Sequence, residues 1–504
     1  MAKIFSSRLV VIPQVKHYLH SVVNDTSSYI SKQMSLRLMH SNNDSTAGAI
    51  LKEIFRYKDT GVTNWIIEAK VEKLCSTYVE FSKKERNCFL WQLASQYSVD
   101  HENICSLSEK LGCIKSNYQR ELVLRERILK NALTPRYQWL FILMGRLEHG
   151  VKFLVDLRTD ILELLSEVSE PEKAIVLQQL NSTLHDLLFL WFSVGFLHLE
   201  RITWQSSCEM LQKISDYEAN HPIKNWLDLK RRVGLYRRCF VFTHPSMPRE
   251  PLVVLHTALC DLIPETVRGI DEADKRIISR TEDSKNRENK SEIKAAIFYS
   301  IASTQKGLKG IDLGNYMIKE VVKEVKREFP MIDQLSTLSP IPKFRAWFFE
   351  KLKQDTMKMF TSKEEEILQN LLRTHDLKTA LRKLLNNSLW TSNDEITRVL
   401  KDPLIRSCAW YLYREKHRNY ALDKVANFHL RNGAFIWRIN WMADPSPRGA
   451  ENSCGIMVNY RYDLNETEEN SRSYIESNTI KASESVIRLA EAVEVLRQLN
   501  NGTK

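Results

Sequence analysis

The sequence is poor in glycine and proline, with only 15 glycines and 14 prolines among 504 residues. This scarcity excludes collagen-like and low-complexity chains, and it makes an all-β protein with many tight turns improbable. The nine cysteines are odd in number and form no C-x-x-C pair, so they indicate neither a zinc ribbon nor a secreted disulfide framework. We expect mostly reduced, buried thiols and a reducing compartment.

Long apolar segments are also missing. The most apolar run, residues 187–199, is shorter than the ~20 residues that a bilayer requires, so we expect a buried helix there and no membrane span. The chain does have a globular composition, with 43% hydrophobic and 27% charged residues, and its length suggests two or three domains. The net charge of +11 fits an anionic ligand, an anionic surface or a targeting tail. Charge alone does not indicate a nucleic-acid partner, and no basic–aromatic motif supports one.

The first forty residues form a distinct segment. They hold five basic residues, seven serines and a single acidic residue, Asp25. A basic, serine-rich, acid-poor start is typical of a mitochondrial presequence, and an ordinary disordered tail is the alternative. We therefore predict a targeting or disordered segment over residues 1–41 and a location in the mitochondrial matrix, with a cytoplasmic form if translation starts at Met34. Because the sequence ends Asn-Gly-Thr-Lys, we expect no peroxisomal S-K-L address.

The remaining residues divide into two predicted domains, which together give an α+β fold. Residues 42–192 carry apolar side chains at helical spacing, which predicts an antiparallel helical bundle with a structural or oligomerisation role. Residues 193–504 mix strand and helix patterns, and we place the catalytic domain there. We predict strands at 237–243, 251–259, 295–301, 433–442 and 455–462, helices at 314–327 and 482–499, and a mobile loop over the charged residues 271–290.

A turn that contains several glycines, residues 301–315 (IASTQKGLKGIDLGN), follows one of these strands and opens a helix. Glycines let backbone N–H groups approach a ligand, and a helix N-terminus favours an anion such as a pyrophosphate. A plain helix cap is the alternative, and Lys319, Lys323 and Lys326 would then form a solvated face. The turn resembles the coenzyme-A pyrophosphate loop of the GCN5-related acetyltransferase (GNAT) fold, with Q-x-G-x-x-G in place of Q/R-x-x-G-x-G/A.

Two further segments carry a serine and a histidine. In the segment LSPIP, the two prolines restrict the backbone, so we expect Ser339 to be held on a stiff turn. His429 lies in ANFHLRNGA, which predicts a short helix that Asp423 caps and Asn432-Gly433 ends. Taken alone, a serine before proline is more often a turn residue, and a histidine near an apolar strand is more often a core residue.

Long runs in fixed order resemble malonyl-CoA decarboxylase. They are REFPMIDQLSTLSPIPKF, YALDKVANFHLRNGAFIWRINWMADPSPRG, WLDLKRRVGLYRRCFVFTHPSMPREPLVVLHTAL, IASTQKGLKGIDLGN and SCGIMVNYRY. The resemblance spans most of residues 191–487 and fits the helical part more loosely. It implies an N-terminal helical bundle, a GNAT-like mixed α/β catalytic domain, and a carboxy-lyase that converts malonyl-CoA to acetyl-CoA and CO2. Such an enzyme controls the malonyl-CoA level and hence fatty-acid oxidation and synthesis.

The resemblance also implies functional residues. Ser339 and His429 would be the catalytic pair. Cys208 matches a cysteine that the family can use in an inter-subunit disulfide of a homo-oligomer, a tetramer in the family, whereas Pro245 replaces another cysteine of the relatives. No metal or separate cofactor is implied, because coenzyme A is part of the substrate. The substrate-binding residues would be Lys309, Gly310, Ile311, Asp312, Leu313, Gly314 and Asn315 in the turn, with Ser300 and Tyr462 at the acyl end.

The chemistry implied is the loss of CO2 to leave a thioester enolate. We expect Ser339 to bind the malonyl carboxylate as the acceptor of the pair, and His429, with a near-neutral pKa, to donate the proton that completes acetyl-CoA. Two alternatives stay open. One is an acyltransferase on the same fold, which needs an amine or hydroxyl acceptor, and the other is a non-catalytic helical interaction protein that keeps the coenzyme-binding fold.

Overall fold

The computed structural model describes residues 46–60, 63–114, 119–218, 221–279, 288–354 and 359–501. The predicted targeting segment, residues 1–41, lies outside these residues. The chain forms two compact units. The first unit comprises the chain up to Ser193 together with Gln305–Ile311, and the second comprises Val194–Thr304 and the chain from Asp312 onward.

The first unit is helical, as the apolar spacing predicts. Its helices are α1 (Thr46–Thr60), α2 (Asn64–Val79), α3 (Lys83–Gln96), α4 (His101–Gly112), α5 (Gln119–Ala132), α6 (Arg136–Arg146), α7 (Gly150–Glu167) and α8 (Pro171–Trp191). Each core helix buries one apolar stripe. In α6, for example, Tyr137, Leu140, Phe141 and Met144 recur at three- and four-residue spacing and are all buried.

The segment Gln305–Ile311 belongs to this helical unit although it lies far along the chain. Its anchor is Arg158, a buried residue of α7, whose guanidinium donates to the carbonyl oxygen of Gly307 at 2.5 Å and to Asn181 Oδ1 at 3.0 Å. These bonds satisfy a charge that would otherwise be costly to bury. Of the predicted substrate turn, residues 309–311 therefore belong to the first unit and residues 312–315 to the second.

The second unit is built on one mixed sheet. Its strands are β1 (His198–Ile202), β2 (Arg237–Thr243), β3 (Val253–Cys260), β4 (Ala295–Ser303), β5 (Gln334–Thr337), β6 (Ser339–Pro340), β9 (Phe435–Asn440) and β10 (Met457–Tyr462), and β7 (Lys416–His417) and β8 (Tyr420–Ala421) form a separate hairpin. The order is β1-β2-β3-β4-β5-β10-β6, with β9 also on β10. The central strand β3 is buried at every position, which explains its nearly continuous apolar sequence.

The sheet is antiparallel except between β4 and β5. This parallel pairing ends at Phe298 and Thr337, whereas β4 continues to Ser303. The register between β3 and β4 also shifts between His256 and Thr257, which marks a bulge. The group of strands β1 to β4 and the group formed by β5, β6, β9 and β10 therefore stop sharing main-chain hydrogen bonds near the end of β5.

Helices complete the second unit. They are α9 (Cys208–Tyr217), α10 (Trp226–Arg232), α11 (Val267–Ser279), α12 (Leu313–Glu328), α13 (Phe344–Lys353), α14 (Ser362–Leu372), α15 (Leu377–Leu385), α16 (Asp394–Tyr413), α17 (Lys424–Arg431), α18 (Pro447–Ser453), α19 (Thr467–Ser477) and α20 (Glu484–Asn501). Within the described ranges, no helix combines the length and the apolar character that a bilayer crossing needs.

The predicted order of a helical part and then a mixed α/β part is confirmed, as are the predicted strands and the two predicted helices within a few residues. The mobile loop predicted over residues 271–290 is wrong in its first part, because α11 reaches Ser279. Ile270, Ala273 and Ile277 lie on one face of α11 and are buried. Charged residues lie between these three apolar residues, so the sequence pattern did not indicate an apolar helix face. Residues 280–287 of the predicted loop lie outside the described ranges.

Candidate active site

Ser339 and His429 meet in the second unit although 90 residues separate them. Ser339 Oγ lies 3.2 Å from His429 Nε2. The two residues are buried, with 5% and 4% of their surfaces exposed. The structure thus brings the predicted pair within hydrogen-bond distance in a site from which bulk water is largely excluded.

Strand pairing positions Ser339. The sequence predicts a proline-stiffened turn, but Ser339 begins the short strand β6 and lies opposite Val458 of β10. Thr337, two residues earlier, accepts a hydrogen bond from Ser339 Oγ at 2.9 Å and another from the Tyr460 N–H at 3.1 Å. Asn459 donates to the Thr337 carbonyl oxygen at 2.6 Å. The serine is therefore held by β10 through both main-chain and side-chain contacts.

The short helix α17 positions His429, as predicted. Asp423 caps this helix by accepting hydrogen bonds from the N–H groups of Val425 and Ala426. The His429 ring stacks on the Tyr460 ring, with 4.6 Å between centroids and 25° between planes. The cap fixes the start of the helix and the stacked ring supports one face of the imidazole.

Tyr462 contacts the histidine directly. Its Oη lies 2.8 Å from His429 Nδ1, so the residue that the resemblance places at the acyl end also holds the far side of the imidazole. Burial lowers the pKa of His429 to about 3, and no charged neighbour offsets this effect among the described residues. The intrinsic near-neutral pKa of histidine is therefore shifted in this site, because burial disfavours the charged imidazole.

Ser300 has a different set of neighbours. Its Oγ donates to both carboxylate oxygens of Glu218, at 3.0 and 2.8 Å, and the His221 N–H donates to the same carboxylate at 2.9 Å. His256 Nε2 lies 3.5 Å from Glu218 Oε2. The structure therefore places Ser300 in a buried carboxylate cluster and shows no hydrogen bond between it and Ser339 or His429. Sequence reasoning missed this cluster, although a histidine inside the apolar strand β3 is an unusual feature.

The start of α12 is tied to the helix that carries the histidine. Asn315 donates to Asp312 and accepts from Asn432 Nδ2, and Asn432 also donates to the Phe428 carbonyl oxygen at 2.9 Å. The Asn315 side chain is thus engaged within the protein. Asn432 was predicted only to end α17, and its second role could not be read from the sequence.

The lysines that follow on α12 have partners within the protein. Lys323 pairs with Glu320 at 2.7 Å, and Lys326 donates to the carbonyl oxygens of Pro330 and Ile332. These contacts favour the reading of a solvated helix face over that of a phosphate site for these two residues. Cys208, the first residue of α9, is an exposed free thiol. Within the part of the chain that the structure describes, no cluster of three or more His, Cys, Asp or Glu residues could hold a metal.

Acid is expected to destabilise the second unit through its buried histidines. Burial lowers the pKa of His256 to about 4 and that of His429 to about 3, from 6.5. Below pH 6.5 the unfolded chain therefore binds more protons than the folded chain, and the free energy of unfolding falls. Two such histidines cost roughly 4 kcal/mol together between pH 6.5 and 4.5.

The Glu218 carboxylate acts in the same direction. Burial opposes its charged form, but His256 and the hydrogen bonds from His221 and Ser300 hold the pKa of Glu218 below its ordinary value of 4.5, so its contribution is present at neutral pH and is lost only below about pH 4.5, after the histidines have acted. Urea unfolding measured from pH 7 to 4.5 tests the prediction. The dependence should become shallower in His256→Gln and stay unchanged in His417→Gln, whose side chain is exposed. A midpoint that does not move with pH would contradict it.

Comparison with known proteins identifies the family. Residues 97–192 match the malonyl-CoA decarboxylase N-terminal domain, and residues 195–500 match the malonyl-CoA decarboxylase C-terminal domain. The curated malonyl-CoA decarboxylase, mitochondrial, of Anser anser anser is 46% identical over 402 residues, 78% of each chain. The protein of the same name from Mus musculus is 45% identical over 436 residues, which are 84% of this chain and 86% of its own.

Solved structures agree. The malonyl-CoA decarboxylase from Agrobacterium vitis is 27% identical, with a TM-score of 0.74 over 88% of this chain and 99% of its own. The corresponding structure from Rhodopseudomonas palustris is 29% identical, with a TM-score of 0.70 over 86% and 98%. The chain belongs to the malonyl-CoA decarboxylase family, and the resemblance seen in the sequence is confirmed.

Proposed function

We propose that this chain is a carboxy-lyase that converts malonyl-CoA to acetyl-CoA and CO2. The observation that carries the proposal is the 3.2 Å contact between Ser339 and His429, at the two positions where the resemblance puts the catalytic pair. Loss of CO2 leaves a carbanion that the thioester carbonyl delocalises as an enolate. The thioester is therefore the electron sink, and the reaction calls for no metal or separate cofactor.

The buried pair supplies what this reaction needs. Ser339 binds the malonyl carboxylate in a site with little water, where the charge is less well solvated than outside and the loss of CO2 is favoured. His429 supplies a hydrogen-bond donor next to the developing enolate and the proton for the new methyl group. Because the imidazole is neutral, its donor is a neutral N–H, which can polarise a carbonyl group.

We assign the coenzyme end of the substrate to the turn at residues 309–315. The amino end of α12 offers backbone N–H groups and a partial positive charge for a pyrophosphate. The sheet also supports a GNAT-like domain. The parallel pairing of β4 with β5 ends at Phe298 and Thr337, whereas β4 continues to Ser303, so the two strands are no longer paired at this end. Asn432 would then connect the coenzyme end of the site with the helix of His429.

Incubation of the purified protein with malonyl-CoA alone tests the function. Acetyl-CoA and CO2 should appear in equal amounts without any added acceptor. Product that forms only when an amine or alcohol is added would instead identify an acyltransferase. Binding of malonyl-CoA without turnover, measured by calorimetry, would identify the non-catalytic alternative.

We further propose that the chain works in the mitochondrial matrix, with a cytoplasmic form that starts at Met34. The support is the basic start of the sequence and the relatives whose names carry the word mitochondrial. A fluorescent protein fused to residues 1–45 should enter mitochondria, and the same fusion begun at Met34 should stay in the cytosol. Cytosolic fluorescence from the longer fusion would contradict the proposal.

The oligomer is proposed to form through α4 and α5 and to be a homotetramer. No side chain of either helix is fully buried, and Val123, Leu124 and Ile128 of α5 are exposed. Apolar residues on one helix face without a neighbour are typical of a protein interface, and a second copy of the chain is the proposed partner. Light scattering should give a tetramer for the native chain and a smaller species for Leu124→Lys. A non-reducing gel of Cys208→Ser tests the proposed inter-subunit disulfide.

A further inference from the structure

A chain of hydrogen bonds runs through the buried site. It passes from Tyr462 Oη to His429 Nδ1 at 2.8 Å, from His429 Nε2 to Ser339 Oγ at 3.2 Å, and from Ser339 Oγ to Thr337 Oγ1 at 2.9 Å. All four residues are buried. Each hydroxyl group has one proton to donate, and a neutral imidazole has one ring proton. The directions of the bonds along the chain are therefore linked.

The serine end sets one direction. Ser339 donates its single proton to Thr337 Oγ1, which also accepts the main-chain N–H of Tyr460. Ser339 Oγ can then interact with the imidazole only as an acceptor. In this arrangement the proton between Ser339 and His429 sits on Nε2. The serine hydroxyl could rotate to donate to Nε2 only if the ring proton moved to Nδ1, so the tyrosine end decides between the two arrangements.

The tyrosine end favours the arrangement with the proton on Nε2. Among the described residues, His429 Nδ1 is the hydrogen-bond partner of Tyr462 Oη. If Nδ1 carried the ring proton, the Tyr462 hydroxyl would accept it and its own buried proton would have no acceptor there, which is unfavourable. If Nδ1 is unprotonated, the Tyr462 O–H donates to it and both groups are satisfied.

We infer that Tyr462 is a positioning residue that sets the tautomer of His429, so that the neutral imidazole presents a protonated Nε2 towards Ser339 and the reacting end of the substrate. Thr337 orients the Ser339 hydroxyl by accepting its hydrogen bond. The tautomer assignment stands on geometry alone, and its catalytic consequence rests on the proposed function. In the free protein His429 does not act as a base on Ser339, because the serine proton points to Thr337. When the malonyl carboxylate binds, this proton turns from Thr337 to the carboxylate, and Ser339 Oγ still accepts the Nε2–H. The site therefore differs from a serine nucleophile activated by a histidine base.

Nitrogen NMR tests the tautomer without any reaction. The protein labelled with 15N-histidine is compared with His429→Asn, and the signals that disappear are those of His429. We expect a protonated Nε2 and an unprotonated Nδ1 at pH 7, and in Tyr462→Phe we expect signal from the Nδ1–H tautomer to appear. A protonated Nδ1 in the native protein would overturn the inference. An unchanged tautomer in folded Tyr462→Phe would overturn the role given to Tyr462.

Kinetics tests the consequence. Tyr462→Phe keeps the ring and removes the donor, so kcat for malonyl-CoA should fall on the order of 10- to 1,000-fold, because the wrong tautomer puts the proton on the wrong nitrogen. KM should change by less than about threefold, since the hydroxyl positions the imidazole and not the substrate. Tyr413→Phe, at the end of α16, serves as the control with native kcat.

The kinetic outcomes separate the two proposals. A rise in KM at unchanged kcat would overturn the positioning role, because it would mean that Tyr462 only binds substrate. If the native protein does not decarboxylate malonyl-CoA at all, the proposed function fails, but the NMR result on the native tautomer still decides the inference about Tyr462.

Discussion

Replacing His429 with asparagine, or Ser339 with alanine, is expected to lower the rate of malonyl-CoA decarboxylation by about 10²–10⁴-fold, the usual contribution of a general acid. His429→Asn removes the ring proton donor, and Ser339→Ala removes the hydroxyl that binds the carboxylate and receives the Nε2–H. The two residues act as one unit. The double variant should therefore be about as slow as the slower single variant, and the two effects should not multiply.

The measurement is the steady-state formation of acetyl-CoA, with folding checked by circular dichroism and thermal melting. His417→Asn and Ser477→Ala change the same residue types at exposed positions of the same unit and should keep native turnover. Folded His429→Asn and Ser339→Ala proteins with near-native rates would exclude the pair as the catalytic residues. Multiplicative losses in the double variant would mean that the two residues act in separate steps.

Gly433→Ala is expected to destabilise the second unit by about 2–4 kcal/mol, the sum of a left-handed backbone penalty and overpacking. Gly433 has a φ of +81° and follows Asn432, the residue that caps the C-terminal end of α17. An added Cβ would lie 1.9 Å from the carbonyl oxygen of Thr467, at the start of α19, and backbone cannot move aside as a side-chain tip can. The strain falls four residues after His429, so turnover should fall with stability.

Thermal and urea unfolding measure this effect, which should appear as a loss of roughly 5–10 °C in Tm. Gly195→Ala is the matched control, because an added Cβ there meets nothing within 4 Å and the position lies in the same unit. Its Tm should stay close to the native value. Equal melting temperatures for the two variants would show that the turn after α17 tolerates a side chain and that the tight contact with Thr467 is easily relieved.

The elements of the fold were readable from the sequence where one local pattern dominates. Strand β2 (RRCFVFT) and helix α12 follow short apolar patterns, and the structure places them within a residue of the prediction. Helix α11 was missed because its three buried apolar side chains lie among charges that outnumber them. The stiff turn at Ser339 was misjudged because only pairing with a distant strand, β10, turns this segment into β6.

The site was readable only in part. The pairing of Ser339 with His429 followed from the resemblance and not from composition or spacing, because 90 residues separate them and only tertiary folding brings them together. The contact of Ser300 with Glu218, and the bond from Asn432 to Asn315, depend on which strand faces which helix. The pKa of His429 depends on complete burial, which no local pattern reports.

The path of the chain between β4 and α12 limits how this protein can change over evolutionary time. Gln305–Ile311 is encoded within the second unit but packs with the first, and Arg158 donates to Gly307 across 149 residues of sequence. The two units are therefore not independent modules that recombination could exchange intact. If recombination replaced the helical region with that of a distant relative, residue 158 would come from the relative, whereas residues 305–311 would stay. We therefore expect positions 158 and 305–311 to have changed together.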